Sequence, residues 1–395
     1  MILKIILFIV CAFFVLQIDA YFYLADIVNI APSLQVFIAF VSLLVISLFA
    51  KKNKVIFISK EGATLLSGLS VYVLIQIVSI AGWDILPEKI YILFFWIYMV
   101  LLILMGYVIG SLIGKHVSCF MFGMLAVLLI ITALDTLYGG ISASQLWGRS
   151  AATLRNPNTV GAVAVLLFLG SVRWHRLKWL EFFAAIIAGT IIVLSQSRSG
   201  MLDYVALMFC LSLWWSKGSG VATIRYNRFI KTTMAGVLMV IILICLLFNS
   251  RYGMKGDIIA SALSDINGRD QVAITAIELI EKKPFFGYGT GFVYAQEKGP
   301  HNMLLRAWLE SGLAGLAGLF ALAFGVLWVG VKRKDPSIIA LTILLGVMAM
   351  TTHNLTESRS LLIITGILLS DSARRKYCTF DRDKALQNKI NTVST

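Results

Sequence analysis

Charge is what this chain has least of. Only 14% of its 395 residues are Asp, Glu, Lys or Arg and 59% are hydrophobic. A soluble domain carries about a quarter charged residues, so that class is excluded, and a mean hydropathy of +0.88 places the chain in a membrane. Cysteine is scarce too. Cys11, Cys119, Cys210, Cys245 and Cys378 fall within apolar runs or on the side assigned below to the cytoplasm, so no disulfide framework is expected. The four histidines form no Cys/His grouping of the kind zinc needs. Acidic residues on the outward side (Asp257, Asp265, Asp270, Glu278, Glu281, Glu297 and Glu310) are scattered. None makes an obvious pair for a divalent metal or for two glycosidase carboxylates, and chemistry without metal or cofactor is the expectation. No fixed-period repeat and no low-complexity stretch interrupts the chain.

What is present is apolar length. About twelve runs are long enough, or nearly so, to cross roughly 30 Å of hydrocarbon. They lie near 4–21, 34–50, 63–81, 90–112, 118–135, 158–172, 177–195, 200–216, 232–249, 311–331, 337–351 and 359–371. The expected fold is an all-α polytopic integral membrane protein of about twelve transmembrane helices. Residues 1–371 form its single membrane domain, 250–310 the principal outer loop with short interfacial helices, and 372–395 a basic cytoplasmic tail. The first run could be a signal peptide, but Leu16-Gln17-Ile18-Asp19-Ala20 is a poor cleavage site, and it is taken as the first span.

Lys and Arg set the orientation. With both termini inside, 22 of the 34 basic residues are cytoplasmic, among them Lys51, Lys52, Lys54, Lys217, Arg225, Lys332, Arg333 and Lys334. Of the 12 outside, seven lie in the 250–310 loop, and the short outer loops are nearly free of them. The net charge of +14 is therefore mostly an orientation signal beside a lipid leaflet, and nucleic acid is not an expected partner.

Two outer loops have substance, 135–158 and 249–310. Within the second, Arg269–Lys283 places Val272, Ala273, Ala276, Ile277 and Ile280 at helical spacing, which predicts an amphipathic helix at the interface. Pro284 ends it, Gly287, Gly289 and Gly291 allow a tight turn, and a helix starting near His301 runs through Trp308 into the next span. Gly312, Gly315 and Gly318 there would permit close helix packing. The G-x-G-x-G spelling is no nucleotide site, since no strand precedes it and no βαβ unit surrounds it.

Polar residues collect on this outer face. His301, beside Asn302, is able to move a proton near neutral pH; the plainer alternative is an interfacial histidine capping a helix. Arg198, in Ser197-Arg198-Ser199-Gly200, stands between two spans with almost no connection. Arginine at membrane depth is costly and faces a partner or a wet cavity, and its fork fits phosphate oxygens; the alternative is a snorkelling side chain. Arg155, in Arg155-Asn156-Pro157-Asn158, resembles it, whereas Arg269, after Gly268, is at least as well explained as a solvated or Asp-paired arginine. Arg306 falls one turn into the His301 helix. His353 and Arg359 share the last outer loop, where Glu357 could pair with Arg359 and Asn354-Leu355-Thr356 also spells a glycosylation acceptor. Tyr138, Trp147, Phe286, Tyr288, Phe292 and Tyr294 add aromatic surface for sugar or lipid.

Three of these motifs, in order, resemble the O-antigen ligase and polymerase superfamily of bacterial envelope enzymes. They are Arg155-Asn156-Pro157-Asn158 opening a span, Ser197-Arg198-Ser199-Gly200, and Pro284 through His301-Asn302 followed by a Gly/Ala/Leu-rich span. The resemblance covers roughly residues 150–370, with the third motif the most specific. It implies a multi-pass protein of the bacterial inner membrane with its active site on the periplasmic face. The implied reaction is metal-independent transfer of a glycan from an undecaprenyl-pyrophosphate carrier to an acceptor sugar hydroxyl. On the family pattern His301 would activate or align that hydroxyl, and Arg198 with Arg269 would stabilise the departing pyrophosphate. Arg155, Asn302, Arg306, Tyr288, His353 and Arg359 are the expected substrate-binding set.

Ligase and polymerase differ in acceptor, lipid A-core or a lipid-linked glycan, and the 284–318 segment favours ligase. One departure from the family is an outer loop of modest length. Twelve spans also fit a transporter or flippase, which would show paired halves with helices broken at midplane. Here polar residues gather on one outer face instead, which favours an enzyme.

Overall fold

The computed structural model describes residues 60–79, 86–138, 150–152, 154, 156–172, 178–216, 271–295, 299–351 and 358–370, with Ile9, Ala12 and residues 15–17 of the first run. Among the described residues every regular element is helical. In chain order these are α1 (Lys60–Ser79), α2 (Leu86–Ile113), α3 (Val117–Tyr138), α4 (Pro157–Ser171), α5 (Lys178–Ser195) and α6 (Arg198–Ser216). After them come α7 (271–282), α8 (Met303–Arg333), α9 (Pro336–Thr351) and α10 (Arg359–Ser370).

Helix α4 is the axis of the bundle. Its sequence, PNTVGAVAVLLFLGS, is apolar all round, and such a helix is stable only when surrounded. Val160 through Ser171 are all buried, with α3, α5, α6 and α9 packed about them. Tyr204 of α6 stacks on Phe168 at 5.8 Å between ring centroids. Elsewhere the bundle is built of neighbours: α1 packs on α2 and α8, and α8 turns back on α9. The last of these turns is closed by Lys334 in the left-handed conformation and by Asp335, whose side chain accepts the Ser337 amide at 2.9 Å. Helix α8 keeps an uncovered apolar side, with Leu313, Phe320, Phe324, Trp328 and Val331 exposed, which suits contact with lipid.

The expectation of about twelve spans is met only in part. Among the described residues three helical segments are long and apolar enough to cross a membrane: Trp96–Ile113, Val117–Tyr138 and Met303–Arg333. Ser67–Ser79, Pro157–Ser171, Leu180–Ser195, Pro336–Thr351 and Arg359–Ser370 are apolar but shorter. Capping explains α4: Asn156 and Val172 stop it at 15 residues, and at about 1.5 Å per residue that falls short of ~30 Å. The runs at 34–50 and 232–249 lie outside the described residues.

Candidate active site

The first two motifs meet. Asn156 caps α4, its side-chain oxygen accepting the Asn158 amide at 2.8 Å, and Pro157 at the first helical position lacks the N–H that would need a partner. Ser197 caps α6 in the same manner, its Oγ accepting from the Gly200 amide at 3.0 Å. The turn between α5 and α6 is only Gln196-Ser197, and Gln196 has a φ of 49°. The two capped ends touch, with Ser197 Oγ 3.4 Å from Asn158 Oδ1. Gly161 and Gly200 make this possible: a Cβ on Gly200 would lie 2.7 Å from the Gly161 Cα. Lipid supplies no hydrophobic drive between helices, so backbone approach of this sort is what holds them. Arg198 is the first residue of α6 and is exposed, at the positive end of that helix's dipole. Leading into α4, Asp135 at the end of α3 is buried and accepts from Ser150 Oγ at 2.7 Å and the Ala152 amide at 3.1 Å.

The third motif folds into a hairpin stitched to α8. Helix α7 ends before Pro284, as the sequence suggests, and buries Ala276 and Ile280 against Leu309, with Leu305 and Trp308 alongside. The anticipated stripe is rotated: Ile277 is exposed together with Ile274, because the contact with α8 falls on the 276/280 side. Past Pro284 the chain turns through Gly287, Gly289 and Gly291, all at positive φ. The Tyr288 amide donates to the Leu309 carbonyl (2.9 Å), the Gly289 amide to that of Glu310 (2.8 Å), and the Leu313 amide back to Pro284 (3.0 Å). Trp308 Nε1 also donates to the Pro284 carbonyl, at 3.0 Å.

These bonds run to a break in α8. Gly312 has φ 63° and ψ −159°, a region open in practice to glycine alone. The expectation that Gly312 serves close helix packing is thus corrected: it is a kink, lying against the Phe285 backbone. Gly318, by contrast, does pack on another helix, facing Tyr72 and Ile75 of α1. Around the kink lies a buried polar cluster. Ser311 Oγ donates to Gln76 Oε1 at 2.7 Å, and Thr290 Oγ1 lies 3.0 Å from the same oxygen and 2.9 Å from the Gln76 carbonyl. Glu310, 3% exposed, pairs with Arg306 at 3.4 Å and accepts the Val293 amide at 3.4 Å.

Each anticipated residue can now be placed. His301 is exposed, immediately before the capped start of α8. Asn302 is that cap, its Oδ1 accepting from the Leu304 and Leu305 amides at 2.8 and 3.3 Å. Arg306 is buried against Glu310 and does not share the exposure of His301. Tyr288 is half-buried, stacked on Phe292 at 4.6 Å with Lys283 Nζ 4.7 Å from its ring centroid. Arg359 is half-buried at the start of α10, beside Ser360, whose hydroxyl bonds to the Val15 carbonyl and accepts from Gln17 Nε2 at 3.2 Å. Arg155, Arg269 and His353 lie outside the described residues. Among the described residues no three His, Cys, Asp or Glu side chains come together.

Sequence reasoning passed over Gln76, Thr290, Ser311 and the role of Glu310. It also missed Asp203, which is buried within α6 with neither carboxylate oxygen hydrogen-bonded among the described residues. An ionisable residue inside an apolar helix was the available signal in that case.

Capped helix starts that present one arginine and one histidine, on a bundle of apolar helices, define a helical membrane protein with polar chemistry at its helix ends. Residues 183–320 match the family model for O-antigen ligase, and the match supports membership of the O-antigen ligase superfamily. It runs from α5 into α8 and contains both Arg198 and His301. No curated protein matches the chain.

Proposed function

We propose that this protein is a membrane glycosyltransferase of the O-antigen ligase type. It moves a glycan from an undecaprenyl-pyrophosphate carrier to a sugar hydroxyl of lipid A-core, on the periplasmic face of the bacterial inner membrane. The family match supports a ligase- or polymerase-type glycosyltransferase in general. The observation that carries the finer reading is that the matched segment holds two exposed side chains of complementary chemistry, Arg198 and His301, each at the capped start of a helix.

In this mechanism the His301 imidazole accepts the proton of the acceptor hydroxyl as its oxygen attacks the anomeric carbon. The anomeric C–O bond to the carrier breaks, and the pyrophosphate leaves with the bonding electron pair. Negative charge grows on the leaving group, so fixed cations stabilise the transition state more than the ground state. Arg198 supplies one such cation, reinforced by the N-terminal end of α6, and Arg269 is assigned as the second. Proton transfer to His301 contributes about 10²–10⁴-fold. Arg155, Tyr288, His353 and Arg359 are assigned to donor or acceptor contacts. Asn302 and Arg306 serve the site by holding the start of α8 in place.

Complementation tests the reading. Wild type and His301→Ala are expressed at matched levels in two bacterial hosts, one lacking its O-antigen ligase and one its polymerase. Surface O-antigen restored only in the first host, and lost on substitution, is the expected result. Restored chain length only in the second host would make the protein a polymerase. Full activity of His301→Ala in either host would remove the histidine from the mechanism.

A further inference from the structure

We propose that Glu310 is a positioning residue for His301, tying the first end of the chain segment that carries the histidine to the helix that receives its second end. This rests on the catalytic reading of His301 given above. That segment is described at its two ends, 293–295 next to the hairpin and 299–302 leading into α8. Its second end is fixed by the Asn302 cap. Its first end is fixed by Glu310, whose carboxylate accepts the Val293 amide at 3.4 Å, with the Gly291 backbone also hydrogen-bonded to it. The same carboxylate holds Arg306, one turn nearer to His301 on α8, at 3.4 Å. One buried side chain thus links the beginning of the segment to the helix that receives its end.

The clamp is held in turn from a third element. Gln76 of α1 accepts from Ser311, the neighbour of Glu310, and from Thr290, three residues before Val293. Both contacts are buried, so neither is weakened by water. The backbone gives little freedom around them. A Cβ on Gly287 would come within 2.5 Å of the Glu310 carbonyl, so hairpin and helix are in backbone contact at that point. A base that must meet a hydroxyl within hydrogen-bond reach gains from such fixing, and a displacement of about 1 Å costs up to roughly 10²-fold.

The test uses full-length protein in detergent and two readouts. The first is the rate of His301 modification by diethyl pyrocarbonate, followed by mass spectrometry with His116, His175 and His353 as internal references. The second is turnover of a polyprenyl-pyrophosphate-linked oligosaccharide. Glu310→Ala is expected to change the His301 rate severalfold while the reference histidines hold. It should lower kcat about 10- to 100-fold with the donor KM within about twofold. Glu310→Gln, which keeps an oxygen for the Val293 amide, should recover part of kcat. Thr290→Val, a milder change at the same clamp, should shift both readouts in the same direction and serves if Glu310→Ala fails to fold. Wild-type values of both readouts in Glu310→Ala, or in Thr290→Val where that variant is used, overturn the proposal, as does an equal shift at every histidine. If the His301 rate shifts but His301→Ala keeps full turnover, the clamp stands and the catalytic reading fails.

Discussion

Two regions present the proposed chemistry, and they are built in opposite ways. At the α4/α6 end the contacts are mostly local caps and a touch of backbones, with one side-chain contact between the helices: an Asn cap, a Ser cap, Gly161 against Gly200, and Ser197 Oγ beside Asn158 Oδ1. At the hairpin/α8 end, three separate stretches of chain share one buried polar cluster, with Gln76 bonded to residues 214 and 235 positions away. The first arrangement leaves Arg198 at the surface on a rigid helix start. The second suspends His301 on a loop and needs a network to fix it. The difference teaches where each region is vulnerable: the first loses little from any one side chain, whereas the second fails with one.

The largest effect should come from cutting that network at its charge pair. Arg306 and Glu310 are both buried, and removing one partner leaves the other in a dry site without its counter-charge, which costs about 3–5 kcal/mol. Arg306→Ala is therefore expected to lower the thermal midpoint in detergent far more than any substitution at the α4/α6 end. Replacing both, as Arg306→Met with Glu310→Leu, should restore much of the stability without restoring turnover. A single substitution with no thermal effect would show that the cluster is not under strain from desolvation, and the contrast between the regions would collapse.

Next in size is Gly312→Ala. Glycine alone readily adopts φ 63°, ψ −159°, and a non-glycine residue there costs roughly 1–3 kcal/mol before any clash is counted. The added Cβ also meets the Phe285 backbone, which cannot move without pulling the hairpin off α8. Thermal stability and turnover should fall together. If Gly312→Ala instead behaves like Gly325→Ala, where nothing lies within 4 Å, the kink is not needed to seat the hairpin.

What could be read from sequence follows the same division. Asn156-Pro157, Ser197 and Asn302 announce helix starts by local chemistry alone, and all three are caps in the structure. Helix α7 ending before Pro284, the turn through three glycines and the long α8 were likewise legible, because each signal sits within a few residues of its consequence. Gln76 was not, since a lone glutamine in an apolar run says nothing of a threonine more than two hundred residues on. Glu310 looked like one scattered carboxylate because its partners are a side chain one turn back and a backbone amide, neither of which has a spelling. Gly312 was assigned the commoner task of a glycine in a membrane helix. Its positive φ is imposed by the hairpin, which no periodicity reports. The span count met a third limit: α4 is apolar throughout but its caps hold it to 15 residues, so hydropathy finds the helix without giving its length.

The smallest expected change is the most useful for separating stability from function. Ser197→Ala removes the cap that accepts the Gly200 amide, a loss of about 1 kcal/mol, while Ser197→Gly should cost only a few tenths. Neither disturbs the backbone contact of Gly161 with Gly200, so α6 should stay docked on α4. Arg198, however, is the next residue, and its aim depends on how the first turn of α6 begins. Turnover of a lipid-linked donor should therefore fall more than stability does, and the donor KM should rise if Arg198 already holds the pyrophosphate in the ground state. If kcat falls with KM unchanged, Arg198 acts on the developing charge alone. If neither parameter moves, the cap does not set the arginine's aim, and the α4/α6 end contributes a scaffold whose geometry tolerates loss of its caps.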